Sequence, residues 1–262
     1  MIHRTEKSFE SLIGFGANEG DTLATFRAVE QAFEDHPAIV EWRSSSVVTT
    51  AAVTGSRESV QDDYSNAAFW IRTTLSAPEL HASLVQLEQR LGRQRNEKWD
   101  PRVVDLDLLL YGNTRLESEQ LTIPHPRMSF RRFVLEPAVE VAPEAIDPVS
   151  GMTLQQLLDH LDSKEPLVTL VTDDLDGLQS LVVELPFEVQ VVDNASEFIR
   201  FANRARLVVS VFDKSDPAAS ERERASLIRF AENFAGPMLR IDRKISDEKI
   251  LRELHAAFAA MQ

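Results

Sequence analysis

The apolar residues of the first 111 positions switch between a period of 2 and a period near 3.6, and this rhythm narrows the fold most. Ser11–Gly16 (SLIGFG) is a short apolar strand that ends in the turn sequence Gly16-Ala17-Asn18-Glu19-Gly20. Asp21 or Thr22 caps a helix with Leu23, Phe26, Val29, Ala32 and Phe33 on its apolar side, stopped by Pro37. Ile39–Thr50, rich in valine, serine and threonine, suits a strand, and the polar run Thr54–Asp63 a loop. Tyr64–Leu75 returns as a strand with Asn66, Ala68, Trp70 and Arg72 on one face. Pro78 opens a helix striped by Leu80, Leu84, Leu87 and Leu91, with Gly92 as its C-terminal stop. Arg93–Pro101 is charged and irregular, and Arg102–Tyr111 is a strand.

Strand, helix, strand, strand, helix, strand is the split βαβ order, βαββαβ, of a ferredoxin-like α+β domain. It predicts an antiparallel sheet with both helices on one face. Short helices follow at Arg132–Val139 and along Leu154, Leu157, Leu158 and Leu161, and Ser163–Pro166 looks like a linker. The expected domains are therefore 1–164 and 165–262. In the second, strands at Leu167–Val171, Glu188–Val192, Leu207–Phe212 and Met238–Ile241 alternate with helices at Ala195–Arg204, Pro217–Phe234 and Asp247–Ala260. Alternation of this kind argues for a small three-layer α/β domain with a mostly parallel sheet.

Composition removes several functions. The chain of 262 residues carries a formal net charge of -14, so a surface that tracks a nucleic-acid backbone is not expected. It has no cysteine, which excludes disulfides, thiolate metal sites and a cysteine nucleophile and fits a reducing compartment. No signal-peptide pattern or membrane-length apolar run occurs, so a cytoplasmic protein is expected. Nothing in the sequence sets an oligomeric state.

The sharpest chemical feature is Asp105-Leu106-Asp107 inside a strand. Alternation sends both carboxylates to one face and leaves Val104, Leu106, Leu108 and Leu110 to be buried on the other. Two carboxylates this close repel, and a divalent cation relieves the repulsion; Mg²⁺ takes one or two protein carboxylates and completes its shell with water and phosphate oxygens. The alternative is a solvated sheet face. Upstream, Arg90, Arg93, Arg95, Lys98 and Arg102 concentrate five cations within thirteen residues, around Trp99. Arginine forks suit phosphate oxygens, and a loop beside a rigid strand is a common form for a lid. Pro124-His125-Pro126-Arg127, with Arg131 close behind, adds further phosphate donors. Asn66 offers donors and an acceptor to a planar heterocycle.

In this order, these clusters resemble the 6-hydroxymethyl-7,8-dihydropterin pyrophosphokinases of folate synthesis. The matching pieces are Gly14-Phe15-Gly16-Ala17-Asn18-Glu19-Gly20-Asp21, Tyr64-Ser65-Asn66-Ala67-Ala68 and Leu87-Glu88 through Leu91-Gly92-Arg93 and Arg95. Trp99, Pro101-Arg102, Asp105-Leu106-Asp107, Pro124-His125-Pro126-Arg127, Phe133-Val134-Leu135, Pro137 and Ala142-Pro143-Glu144 complete the set, over roughly residues 10 to 162. The resemblance implies a ferredoxin-like fold and transfer of the β,γ-diphosphate of ATP to the pterin hydroxymethyl group with release of AMP. It implies two Mg²⁺ ions on Asp105 and Asp107, catalytic-loop residues Arg93, Arg102 and Trp99, and ATP contacts from Glu88, Arg95, Thr122, His125 and Arg131. It implies pterin contacts from Asn66, Tyr64 and Phe133.

The sequence also departs from the family pattern. Asp100 stands where glycine is usual, Val48 where tyrosine is, Gln120 where some members have arginine, and Thr50–Gly55 lacks the usual proline. These departures motivate a competing reading, a catalytically impaired ferredoxin-like protein that binds nucleotide or pterin, or acts as a scaffold. A metal-dependent nuclease fits the aspartates but not the acidic chain. The residues from 167 onward contain no GxxxxGK[ST] and no GxGxxG. Their element order and the tail Gly236–Asp242 resemble a nucleoside-kinase-like fold without its phosphate loop, and a docking or oligomerisation module without catalysis is the reading taken.

Overall fold

A computed structural model describes residues 7–51, 62–92, 102–183, 185–212, 227–231 and 233–262. The chain divides into two compact units. The first comprises Met1–Met128, Phe133–Val149 and Thr153–Gln155; the second comprises Ser129–Arg132, Ser150–Met152 and Gln156–Gln262.

In the first unit, β1 (Phe9–Ala17) leads through a turn to α1 (Thr22–Glu34). The Asp21 carboxylate caps α1 by accepting from the Ala24 N–H at 2.9 Å. The valine-rich stretch expected as one strand is two, β2 (Ile39–Ser44) and β3 (Val48–Thr50). The break falls at buried Ser45, whose N–H donates to the Ala68 carbonyl while its hydroxyl accepts from the Ala68 N–H, both at 2.9 Å. Both pieces pair antiparallel with β4 (Tyr64–Thr73). Helix α2 (Ala77–Arg90) starts where Glu79 accepts from the Ser76 N–H at 2.8 Å and hydroxyl at 2.6 Å, with Pro78 in its first turn, and gives way to Gly92 at φ +97°. Strand β5 covers Asp105–Tyr111, so Arg102 lies on its approach and not within it.

The sheet runs β2-β4-β1-β5, with every pair antiparallel. One face carries Ile13, Phe15, Ala67, Phe69, Ile71, Leu106 and Leu108, packed in one core with Phe26, Val29 and Phe33 of α1 and Leu80, Leu84 and Leu87 of α2. Phe69 lies between Phe26 and Phe33, each ring centroid 5.1 Å away. Each such fully buried side chain stabilises the unit by about 1.5–3 kcal/mol. Leu110 is not on this face. A bulge pairs Leu108 with Ile13 but Leu110 with Leu12, and the extra residue, Leu109, moves Leu110 to the opposite side. That opposite side is covered around Trp70, where the Arg43 guanidinium stacks 4.2 Å from the ring centre and its Nε donates to the Val141 carbonyl at 2.7 Å. Val141 ends α3 (Arg132–Val141). A small hairpin, β6 (Leu116–Glu117) with β7 (Thr122–Ile123), was not legible in the sequence.

The expected linker at Ser163–Pro166 is absent: α4 (Leu154–Ser163) runs up to it, and β8 (Glu165–Thr172) starts inside it. The second unit holds a sheet of β11 (Met238–Asp242), β10 (Ala205–Phe212), β8 and β9 (Glu188–Val192), in that order and parallel throughout. Helices α5 (Leu175–Val182), α6 (Ala195–Ala202) and α7 (Asp247–Ala260) belong to it, and residues 227–231 are helical. Helix α5 was not foreseen; Asp174 caps it by accepting from the Gly177 N–H at 3.3 Å, and the Arg243 guanidinium pairs with Asp174 and Asp247.

Candidate active site

The register of four strands builds one end of the sheet face left clear of α1 and α2. Asp105 of β5 lies opposite Gly16 of β1, Gly16 opposite Asn66 of β4, and Asn66 opposite Val48 of β3. One step along, Asp107 lies opposite Gly14, and Gly14 opposite Ala68. Cross-strand partners share a face, so both carboxylates and Asn66 look the same way, with two glycines between them. A Cβ on Gly16 would lie 3.8 Å from Asn66 Oδ1 and 4.0 Å from Asp105 Cβ; one on Gly14 would press against Leu109 at 3.3 Å. Gly16 keeps the space between the Asp105 carboxylate and the Asn66 amide free of a side chain, whereas Leu109 packs over Gly14.

Asp105 and Asn66 are both held in place. Arg102 pairs with the Asp105 carboxylate. Asn66 Nδ2 donates to Thr50 Oγ1 at 2.8 Å, and Oδ1 is the atom beside Gly16. Tyr64, close to Arg102 and Asp105, has its phenol pKa raised chiefly by burial, so it stays a neutral donor at neutral pH. His125 follows β7, with its N–H bonded to the Leu109 carbonyl of β5 at 2.9 Å. Its Nδ1 accepts from the Arg127 N–H at 3.3 Å, so in the neutral ring the proton is on Nε2, which is 3.9 Å from Asp107.

Glu88, expected from the sequence as an ATP contact, also supports the fold. It is buried in α2 and accepts from the Leu106 N–H at 2.7 Å. Strand β5 is at the sheet edge, where outward N–H groups lack a ladder partner. Glu88 therefore holds the residue between the two aspartates. Thr122 is half-buried in β7, Phe133 half-buried in α3 and Arg131 half-buried just ahead of it. Arg93, Arg95 and Trp99 lie outside the described residues, as does Asp100 and most of the altered Thr50–Gly55 loop.

Two features went unrecognised in the sequence. Gly16, in the strand that ends in the turn, was a visible signal, since a glycine inside a strand marks a close approach or an open face. Asn18, just beyond β1, bonds both backbone groups of Arg102; nothing local marks that role. Among the described residues, no three His, Cys, Asp or Glu side chains gather as a metal set. A carboxylate pair suits a cation that brings water and phosphate oxygens, and not one caged by protein.

The family model for 7,8-dihydro-6-hydroxymethylpterin-pyrophosphokinase matches residues 12–143, half of the chain and every strand of this site. The chain belongs to this family. A 2-amino-4-hydroxy-6-hydroxymethyldihydropteridine pyrophosphokinase of Synechocystis is 41% identical over 152 residues, 58% of this chain and 76% of the relative. The Bacillus subtilis enzyme of the same name is 39% identical over 129 residues, 49% of this chain and 75% of the relative. That of Haemophilus influenzae is 38% identical over 138 residues, 50% and 86% of the two chains. The family match ends at Pro143, ahead of the parallel sheet of the second unit.

Proposed function

We propose that the chain transfers diphosphate from ATP to 6-hydroxymethyl-7,8-dihydropterin in folate biosynthesis, releasing AMP. The hydroxymethyl oxygen bonds to the β-phosphorus while the bond from that phosphorus to the α,β-bridging oxygen breaks. AMP leaves with the bridging oxygen, and the hydroxyl proton is released. The observation that carries this reading is the open position at Gly16, which sets the end of the aspartate pair, Asp105, beside the held amide of Asn66 on one sheet face.

Two Mg²⁺ ions would be held by Asp105 and Asp107, and when bound they neutralise charge on the triphosphate. Arg102 adds a cation beside Asp105, and Arg93 would add another from the loop that Trp99 closes. His125 Nε2, Thr122, Arg95 and Arg131 supply donors for ATP oxygens. Thr50 holds Asn66 Nδ2, which leaves Oδ1 to accept from a pterin N–H. Tyr64 offers a neutral hydroxyl, and Phe133 a ring for stacking. Glu88 is assigned an ATP contact, and its hydrogen bond to Leu106 also holds the aspartate strand.

The strand order β2-β4-β1-β5 supports a ferredoxin-like reading of the first unit, and we assign the pterin chemistry to residues 1–164. Residues 165–262 are assigned as an additional α/β domain without a part in the reaction. Among the described residues no helix is long and apolar enough to cross a membrane, and a cytoplasmic enzyme that does not bind nucleic acid is the reading kept.

AMP release from ATP and Mg²⁺, with and without 6-hydroxymethyl-7,8-dihydropterin, tests the proposal. Pterin-dependent AMP is expected. Mg²⁺-dependent ATP binding without AMP would establish the catalytically impaired binding protein instead.

A further inference from the structure

Asn18 has no place in the reaction as described so far, yet it is buried to 5% exposure just ahead of exposed Glu19 and Gly20. Its backbone N–H donates to the Arg102 carbonyl at 3.0 Å, and its Oδ1 accepts from the Arg102 N–H at 2.8 Å. One residue thereby takes both main-chain groups of another that is 84 positions away in sequence. Arg102 is the first described residue after the charged segment 93–101, and it precedes β5 by three positions. Among the described residues, the β1–β5 ladder begins at Gly16 and Asp105, short of Arg102. The Arg102 guanidinium then reaches the Asp105 carboxylate.

We infer that Asn18 is a positioning residue that acts through Arg102: it pins the arginine's backbone to the end of β1, so that the guanidinium is delivered beside the carboxylate pair. A side-chain acceptor alone would fix one hydrogen bond; the two reciprocal bonds fix both position and direction of the peptide. Among the described residues, Asn18 Nδ2 has no hydrogen-bond partner although it is buried. An orphaned buried donor is unfavourable, and a side chain kept there for packing alone would be better apolar. The clamp on Arg102 is what offsets that cost. This inference rests on the reading of Arg102 as a cation that stabilises the transition state.

A double-mutant cycle on the full chain tests it, with AMP release measured at saturating ATP, Mg²⁺ and pterin beside a thermal midpoint. Asn18→Ala is expected to lower kcat by about tenfold to a hundredfold, the cost of a misplaced catalytic group, with KM for ATP changed far less. In the Arg102→Ala background the same substitution is expected to leave kcat where Arg102→Ala alone puts it, because the group it positions is gone. A purely structural Asn18 would lower kcat by the same factor in both backgrounds, and that result overturns the inference, as does an unchanged kcat in Asn18→Ala. If Asn18→Ala does not fold, Asn18→Ser carries the same cycle. A wild-type chain without pterin-dependent AMP would instead overturn the function on which the inference rests.

Discussion

Asp107 and Asp105 share a strand face but not a situation. Asp105 is paired with Arg102, whereas the Asp107 side chain is 44% exposed, with His125 Nε2 at 3.9 Å. Removing the Asp107 carboxylate therefore takes away little that the fold uses. Asp107→Ala is expected to lower kcat by about a hundredfold to a thousandfold, the range for loss of one preorganised electrostatic group. Its thermal midpoint should be unchanged or slightly raised, since a like charge beside Asp105 is lost. Steady-state AMP release and a melting curve check both; unfolding of this variant would make the carboxylate structural. The face of Asp107 was legible from alternation alone. The face of Leu110 was not, because a bulge at Leu109 breaks the alternation, and bulges depend on the partner strand.

At the scale of elements, a buried hydrogen bond from Leu106 N–H to Glu88 joins α2 to β5. Glu88→Ala leaves that N–H buried without an acceptor and is expected to cost about 1–3 kcal/mol. Glu88→Gln keeps an oxygen in the same place and should recover most of it. Denaturant unfolding of the two variants decides this; equal losses would mean that the carboxylate charge, and not the hydrogen bond, matters. A second element carries a pH dependence. His160 of α4 donates from Nε2 to the Ala205 carbonyl at 3.0 Å, and burial holds its pKa below the ordinary 6.5. Lys164 also opposes its protonation. The folded state thus keeps the ring neutral, while the unfolded chain takes a proton near pH 6.5. The stability this contributes is full above pH 6.5 and is lost as the pH falls through the lower folded value. His160→Gln should flatten the fall of the second unit's melting temperature between about pH 7 and pH 5, the window in which an ordinary histidine titrates. An identical fall in the variant would assign it to other groups.

For the whole molecule, two compact units predict two heat-absorption transitions in place of one. Mg²⁺ with a non-hydrolysable ATP analogue at a hundred times its Kd stabilises the state that binds it by about 2.7 kcal/mol. Only the transition of the unit that carries Asp105, Asp107 and Asn66 should rise. A rise in both would show that the units unfold together.

The sequence by itself determined the βαββαβ order of the first unit, the helix caps at Asp21 and Gly92, most of the buried stripes of α1 and α2, the four strands of the second unit and the family. Each rests on periodicity, on turn chemistry or on a motif whose members are close along the chain. The Ser163–Pro166 segment misled because a lysine, a glutamate and a proline next to serine have the composition of a linker, although β8 starts at Glu165 and the Arg204 guanidinium pairs with that glutamate. Only the tertiary structure decided that Gly16 lies between Asp105 and Asn66, that Glu88 faces inward to Leu106, and that Asn18 holds Arg102. Those relations join residues on different strands and helices. They depend on strand order and register, which local patterns along one chain do not encode.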